Sequence, residues 1–299
     1  MKHIFTYPTA LLVGLALLGS SRADAQQFNK RKQYNSVGFN INAMNYFGDL
    51  APQTGFASFR FNNTRPNVGV TLTRRFYPRV SGRLGLSYGR INGDDATAAN
   101  ATDQNARYRY NRNANFQNDI VELSGVVIID LIQNRNNFLK RPDFVPYVFA
   151  GLAGFHHNPK GRDANGNYVP LQPLATEGTD YSRFQVAIPF GGGVRYRINR
   201  NFDASLEFGI RKTFTGFLDD VNGNYLGATA LGIAPGTPTS ALTEKQYFGY
   251  GVTRSHTGDF SSFDNEGSKR GQNKSDWYTV TGLSLNYILT PRIKNPKFR

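Results

Sequence analysis

The residues that could do chemistry are few. The chain has no cysteine and four histidines, His3, His156, His157 and His256. His156 and His157 are adjacent, and adjacent side chains on a strand point to opposite faces, so the pair cannot share one metal ion without local irregularity. A polar rim at a strand end is the plainer use for them. Two segments, "DANGNY" (163–168) and "DVNGNY" (220–225), open like a calcium loop. The glutamate that should close such a loop is replaced by Leu174 in one and Leu231 in the other. Asn-Gly is also a strong hairpin signal, so both segments are expected to form β-hairpins. "FGGGVRYR" (190–197) lacks phosphate-loop spacing and lies inside a strand pattern, where its glycines relieve crowding or admit a large facing side chain. No nucleophile elbow pairs a serine with a histidine. The expectation is a protein that is not an enzyme, with no cofactor and no metal.

The elements that carry these residues are strands. Lys2 and His3 precede the apolar run "TALLVGLALLG" (9–19), and Ala23-Asp24-Ala25 is a small-x-small cleavage pattern, so residues 1–25 read as a secretory signal peptide. An exported chain without cysteine has no disulfide framework and must draw its stability from one sizeable folded unit. Beyond the signal, no apolar run approaches the roughly 20 residues of a membrane-spanning helix, so any crossing is made by strands. The stretch "FDASLEFGIRKTFTGFLDD" (202–220) sets Ala204, Leu206, Phe208 and Ile210 on one face and Asp203, Ser205, Glu207 and Arg211 on the other. That period of two marks a strand with one apolar and one polar face.

The same period recurs at 34–48, 67–77, 80–91, 118–132, 145–157, 184–198 and 276–289. Connectors alternate between short or moderate ones and long polar ones at about 49–66, 92–117, 158–183 and 216–275. Together these predict an all-β fold: an eight-stranded antiparallel transmembrane outer-membrane β-barrel over 34–290, with short periplasmic turns and long extracellular loops. Residues 26–33 would be a periplasmic segment and 291–299 a basic periplasmic tail. A soluble β-sandwich is the competing reading. Connector alternation, aromatics at strand ends (Tyr46, Phe47, Phe76, Tyr77, Phe214, Trp277, Tyr287) and the final "TGLSLNYIL" weigh against it.

The formal charge is +14. In an exported chain this does not point to nucleic acid. The short-turn side and chain ends hold Lys30, Arg31, Lys32, Arg74, Arg75, Arg79, Arg83, Arg135, Lys140, Arg141, Arg195, Arg197, Arg200, Arg292, Lys294, Lys297 and Arg299, against only Asp130, Asp143 and Asp203. Charge alone leaves two uses open: contact with anionic lipid headgroups, or a docking face for an acidic periplasmic partner built on Arg79, Arg135, Lys140, Arg141, Arg200, Arg292 and Lys294. Arg75, Arg83, Glu122, Arg195, Glu207 and Arg211 fall on the inward face. An eight-stranded barrel is just wide enough for side chains to fill, so these charges are expected to pair and plug the lumen.

"NYFGDL" (45–50), "TRRFYPRVSGRLGLSYGRINGDD" (73–95), "PYVFAGLAGFHHNP" (146–159), "IPFGGGVRYRI" (188–198), "LEFGIRKTFTGFLDD" (206–220) and "DWYTVTGLSLNYIL" (276–289) resemble, in order, the PorG-like outer-membrane barrels of Bacteroidota. The resemblance implies a non-enzymatic outer-membrane protein, an accessory component of the type IX secretion system. The implied partners are outer-membrane lipids and a periplasmic ring of PorK- and PorN-like proteins, docked through the basic face. The alternatives are a surface-binding barrel similar to the membrane domain of OmpA, whose long loops meet an unknown extracellular ligand, and an outer-membrane lipid enzyme using His156 or His157.

Overall fold

The computed structural model describes residues 32–50, 63–98, 107–250 and 268–289. The expected signal peptide, the basic tail with Arg292 and Lys294, and His256 lie outside the described residues. Among the described residues nine strands form: β1 (Asn35–Phe47), β2 (Arg65–Arg75), β3 (Val80–Asp94), β4 (Asn115–Asp130), β5 (Phe144–Arg162), β6 (Tyr168–Pro170), β7 (Phe184–Arg197), β8 (Phe202–Thr213) and β9 (Trp277–Leu289). Chain neighbours pair antiparallel, β5 with β7, and the pairing of β1 with β9 closes the sheet. The result is a closed eight-stranded antiparallel barrel. Short β6 stands outside it, hairpinned on the end of β5.

The faces answer the question that periodicity leaves open. Along β8, Leu206 is 50% exposed and Phe208 38%, while Asp203 and Ser205 are buried. The same inversion runs through Phe39 and Ile41 of β1, Leu84 and Leu86 of β3, Leu152 of β5, and Leu283 and Leu285 of β9, all exposed. A closed sheet with an apolar exterior is a surface made for lipid, because closure leaves no unpaired edge in the hydrocarbon. From Phe202 to Lys212 the outward positions of β8 are apolar until the lysine. Ten residues span roughly 33 Å along a strand, or about 25 Å along the axis at a tilt near 40°, the height of a membrane band. The chain is a membrane-spanning barrel of the outer-membrane type.

The inversion stops at the long-loop end. There Met44, Tyr46, Ile91, Phe116, Ile120, Phe155 and Tyr278 turn inward and pack with Leu50, Leu218 and Val221 from the loops. Strands β3, β4 and β5 extend past their sequence-read ends, with Asn92 opposite Gln117 and Asp94 opposite Asn115. Polar outward residues there do not end the strands, since beyond the bilayer the outer wall faces water and the inner side becomes an ordinary core.

Of the two expected hairpins, one forms. Arg162 pairs with Tyr168, and Asp163 Oδ1 accepts from the N–H groups of Asn165 and Asn167 across a turn with Gly166 at φ +87°. The second segment does not fold on itself. Its backbone pairs with distant chain, Tyr225 N–H donating to Ser268 O and Arg270 N–H to Gly223 O, with an isolated bridge between Asn224 and Lys269. The Glu177 carboxylate accepts from Asn222 N–H and Gly223 N–H, groups a local turn would otherwise use.

Candidate functional site

The short-turn end is sealed by Arg141. Its guanidinium donates to Asp203 through Nε (3.0 Å) and Nη2 (2.7 Å), and to the carbonyls of Phe138 (2.6 Å), Arg200 (2.9 Å) and Asn199 (2.8 Å). One buried side chain thus ties the β4–β5 turn to the β7–β8 turn. Arg79, Arg135, Lys140 and Arg200 are exposed around it. Arg197 is paired with Asp143.

The lumen above holds two charge clusters. In the lower one, Asp130, 1% exposed, accepts from both Arg75 and Arg195, the latter at 2.6 Å. Arg75 also donates to Pro78 O at 2.8 Å. In the upper one, Arg83 grips Glu207 with both terminal nitrogens while Tyr147 donates to Glu207 at 2.6 Å. Arg211 lies 3.5 Å from Glu122, which accepts from Tyr278 at 2.6 Å. Room for these side chains comes from the glycine run of β7. A Cβ at Gly193 would lie 2.9 Å from the Tyr147 ring, and one at Gly191 would meet the Phe208 carbonyl at 2.2 Å. The voids left are water-sized, about 20 and 50 Å³. The described lumen is plugged.

The long-loop end is closed by a buried polar cap. Arg112 pairs with Asp95 (2.7 and 2.9 Å) and donates to Asp49 O and Arg270 O. Arg270, 2% exposed, donates to Thr176 (2.6 Å) and Glu177 (3.2 Å) and sits 3.5 Å from Asp220. Asp220, at φ +65°, also accepts from Tyr181 and Thr176. A short helix, Glu244–Gly249, starts on a Thr243/Gln246 capping box and packs Phe248 against Val169 and Leu171.

Three carboxyls meet inside the cap. The single hydroxyl of Tyr46 contacts Asp219 at 2.6 Å and Asp276 at 3.1 Å. A phenol has one proton to give, so both contacts are satisfied when one carboxyl carries a proton of its own. Asp49 accepts from Gln272 N–H with both oxygens, and Asp276 from Leu218 N–H. Burial, and after it the charge of Asp49, raises the Asp219 carboxyl well above the ordinary range; burial and then Asp219 do the same to Asp276. Burial likewise raises Asp49 and Asp220. Among the described residues, no group of three or more histidine, aspartate or glutamate side chains is arranged to hold a metal ion.

Residues 23–230 match the family model described as "Domain of unknown function (DUF6089)". The chain belongs to the DUF6089 family. The match ends before β9, the strand that closes the barrel. A search of curated proteins finds no match. Among solved structures, Ail, the attachment invasion locus protein of Yersinia pestis, is similar at 7% identity and TM-score 0.39, over 86% of this chain and 99% of that one. Neisserial surface protein A aligns at 8% identity and TM-score 0.35, over 85% and 95%. OprG from Pseudomonas aeruginosa aligns at 9% and 0.35, over 88% and 98%. The barrel assignment rests on sheet closure and the apolar exterior of this DUF6089 chain itself.

Against the sequence-read sites, Arg75, Arg83, Glu122, Arg195, Glu207 and Arg211 of this DUF6089 barrel all turn inward, but in two clusters, and the lower one is organised by Asp130. Asp130 and Asp203, which read as periplasmic surface in the sequence, are both interior. Arg141 leaves the docking set, being 5% exposed and committed to Asp203. Arg75, Arg83 and Arg195 likewise leave the surface, each lying inside the lumen and paired with Asp130 or Glu207. His157 is buried between Asn118 and Ser182 O and stacks on Tyr181, while His156 packs edge-on to Phe184 on the other face. The cap residues Arg112, Arg270 and Glu177 carried no sequence signal beyond being charges in long loops, whereas Asp95, Asp219-Asp220 and Asp276 stood in the motifs that carry the family resemblance.

Proposed function

We propose that this DUF6089 barrel is a non-enzymatic outer-membrane anchor whose periplasmic end docks an acidic partner. In the finer form of this reading it is an accessory component of type IX secretion, and the partner is a PorK/PorN-like ring. The observation that carries the proposal is the sorting of charge at the short-turn end. The interior arginines are paired with Asp130, Asp203 and Glu207, while Arg79, Arg135, Lys140 and Arg200 remain outside on the turns, a cationic rim suited to steering an acidic surface. Arg292 and Lys294 would add to that rim.

The test is affinity purification of the full chain from its own envelope, comparing wild type with an Arg79→Glu/Lys140→Glu/Arg200→Glu variant. Loss of co-purifying acidic periplasmic proteins, with the barrel still folded, is expected. Unchanged recovery would sink the proposal. Arg141 is left out because its reversal would unfold the turn it holds.

A second reading, a surface-binding barrel similar to the OmpA membrane domain, draws support from the cap. Its loops are packed on a buried Arg–Asp network, a rigid platform of the kind binding sites use. Deleting 226–267 would then abolish surface binding and leave cargo secretion intact.

A further inference from the structure

Just outside the β8–β9–β1 wall, where the apolar band ends, lies a cavity of about 350 Å³ lined by Phe47, Asp49, Lys212, Gln272, Lys274, Asp276 and Trp277, with Gly48 and Ser275. This volume falls within the range of small-ligand sites, roughly 300–1,000 Å³. The register builds it. Lys212 is the partner of Trp277, Trp277 is the partner of Phe47, and the two rings stack at 4.3 Å with planes 10° apart.

By alternation all three fall on the outward face of the barrel, Lys212 exposed, Trp277 partly so, and Phe47 buried beneath its stacking partner. Below Lys212 the same outward face continues as Ile210, Phe208 and Leu206, a track for acyl chains. We propose that Lys212 and Lys274, over the Phe47–Trp277 stack, bind the phosphorylated headgroup of an outer-leaflet lipid.

The cations of this patch differ from those at the top of the β3–β5 wall. On the β3–β5 wall, Arg90 and Lys160 are also at the rim, but both are bonded to Asp119, at 2.7 and 3.1 Å. Lys212 has no carboxylate partner among the described residues, and Lys274 reaches only the neutral side-chain oxygen of Gln272, at 3.4 Å. Two carboxyls do line the cavity, and they are occupied from the cap side. Asp49 holds Gln272 N–H with both oxygens, and Asp276 is held by Leu218 N–H and the Tyr46 hydroxyl. Burial raises both, Asp276 well above the ordinary carboxylate value, which lessens the negative charge they set against an anion. A lysine at the top of an apolar wall keeps its stem against lipid tails and its ammonium at headgroup level, where a phosphate is the natural counter-ion.

The chain has one tryptophan, Trp277, so the site carries its own reporter. The full chain in neutral maltoside micelles is titrated with phosphatidic acid, with diacylglycerol of the same acyl chains, and with inorganic phosphate, following Trp277 fluorescence. A saturable change with phosphatidic acid alone is expected. Lys212→Gln with Lys274→Gln should weaken it by at least roughly tenfold, the loss expected for a charge-assisted contact, while Lys212→Arg with Lys274→Arg retains it. An equal response to diacylglycerol would reduce the site to a greasy crevice. An equal response to inorganic phosphate would make it a free-anion site, and an unaltered double Gln variant would remove the lysines from it; any of these overturns the proposal. Heat-modifiable gel migration checks that each variant is folded, and Lys274→Gln alone, on an exposed loop, serves if the double variant is not. The site is independent of periplasmic docking, and either can fail without the other.

Discussion

Replacing Arg141 by glutamine tests whether the short-turn end is held by a buried ion pair or by the turns themselves. The substitution removes three contacts to Asp203 and four to the carbonyls of Phe138, Asn199, Arg200 and Phe202. Asp203, 4% exposed, then loses its only hydrogen-bonded cation among the described residues and keeps Arg195 as a more distant charge. Breaking a buried pair by removing one member costs about 3–5 kcal/mol, most of it the desolvation of the ion left behind. The lost carbonyl contacts overlap with that figure, because water reaches a turn more easily than a core, so the total is expected to stay within about 3–5 kcal/mol.

The assay is urea unfolding of the refolded barrel in short-chain lipid vesicles, read by gel migration and Trp277 fluorescence. Arg200→Gln, on the exposed rim, should stay within about 0.5 kcal/mol of wild type. The Arg141→Gln/Asp203→Asn double variant should recover more than about 1 kcal/mol relative to the single change, since the stranded charge is gone. A midpoint for Arg141→Gln equal to that of Arg200→Gln would refute the reasoning and return Arg141 to the docking face.

The cap should loosen as pH rises. Asp219 and Asp276 hold their protons more tightly folded than unfolded, so their contribution is greatest below the ordinary carboxylate pKa and is lost as pH climbs through the raised values, by up to about 1.4 kcal/mol per pH unit for each group. Protection of the Leu218 and Val221 amides, corrected for the intrinsic rise of exchange with pH, should fall as pH climbs above the ordinary carboxylate range, and Asp276→Asn should flatten that profile; a pH-independent protection in wild type counts against it. Arg270→Ala strands Asp220 and Glu177 together and should expose 221–250 to protease while the barrel keeps its heat-resistant migration. In planar bilayers the purified protein should show no stable large conductance, and steady openings in wild type would contradict the plugged lumen. Glu207→Gln unpairs Arg83 and should cost about 3 kcal/mol or more in the same urea assay.

The strand count, the wall positions and the inward direction of the six network residues were legible from local sequence. A strand's faces are set by alternation alone, and Leu206 and Glu207 cannot share a side. Alternation could not say which side was wet. Closure decided that, because once β1 pairs with β9 the polar face has only the lumen to occupy. The partners of the charges were also beyond local pattern. Asp130 meets Arg75 across 55 positions and Asp203 meets Arg141 across 62, so an acid that reads as surface becomes the centre of a cluster. The cap was hidden most completely. Arg112, Asp49, Arg270 and Asp276 sit in loops whose composition reads as solvated, and only the fold, by bringing four loop ends over one narrow mouth, buries them and makes their pairing necessary. The sequence by itself determined an eight-stranded membrane barrel. The tertiary structure decided which cations are surface and which are mortar, and it set Lys212 beside Lys274 and the lone Trp277, because proximity across strands and loops follows from register and closure and from nothing written locally in the chain.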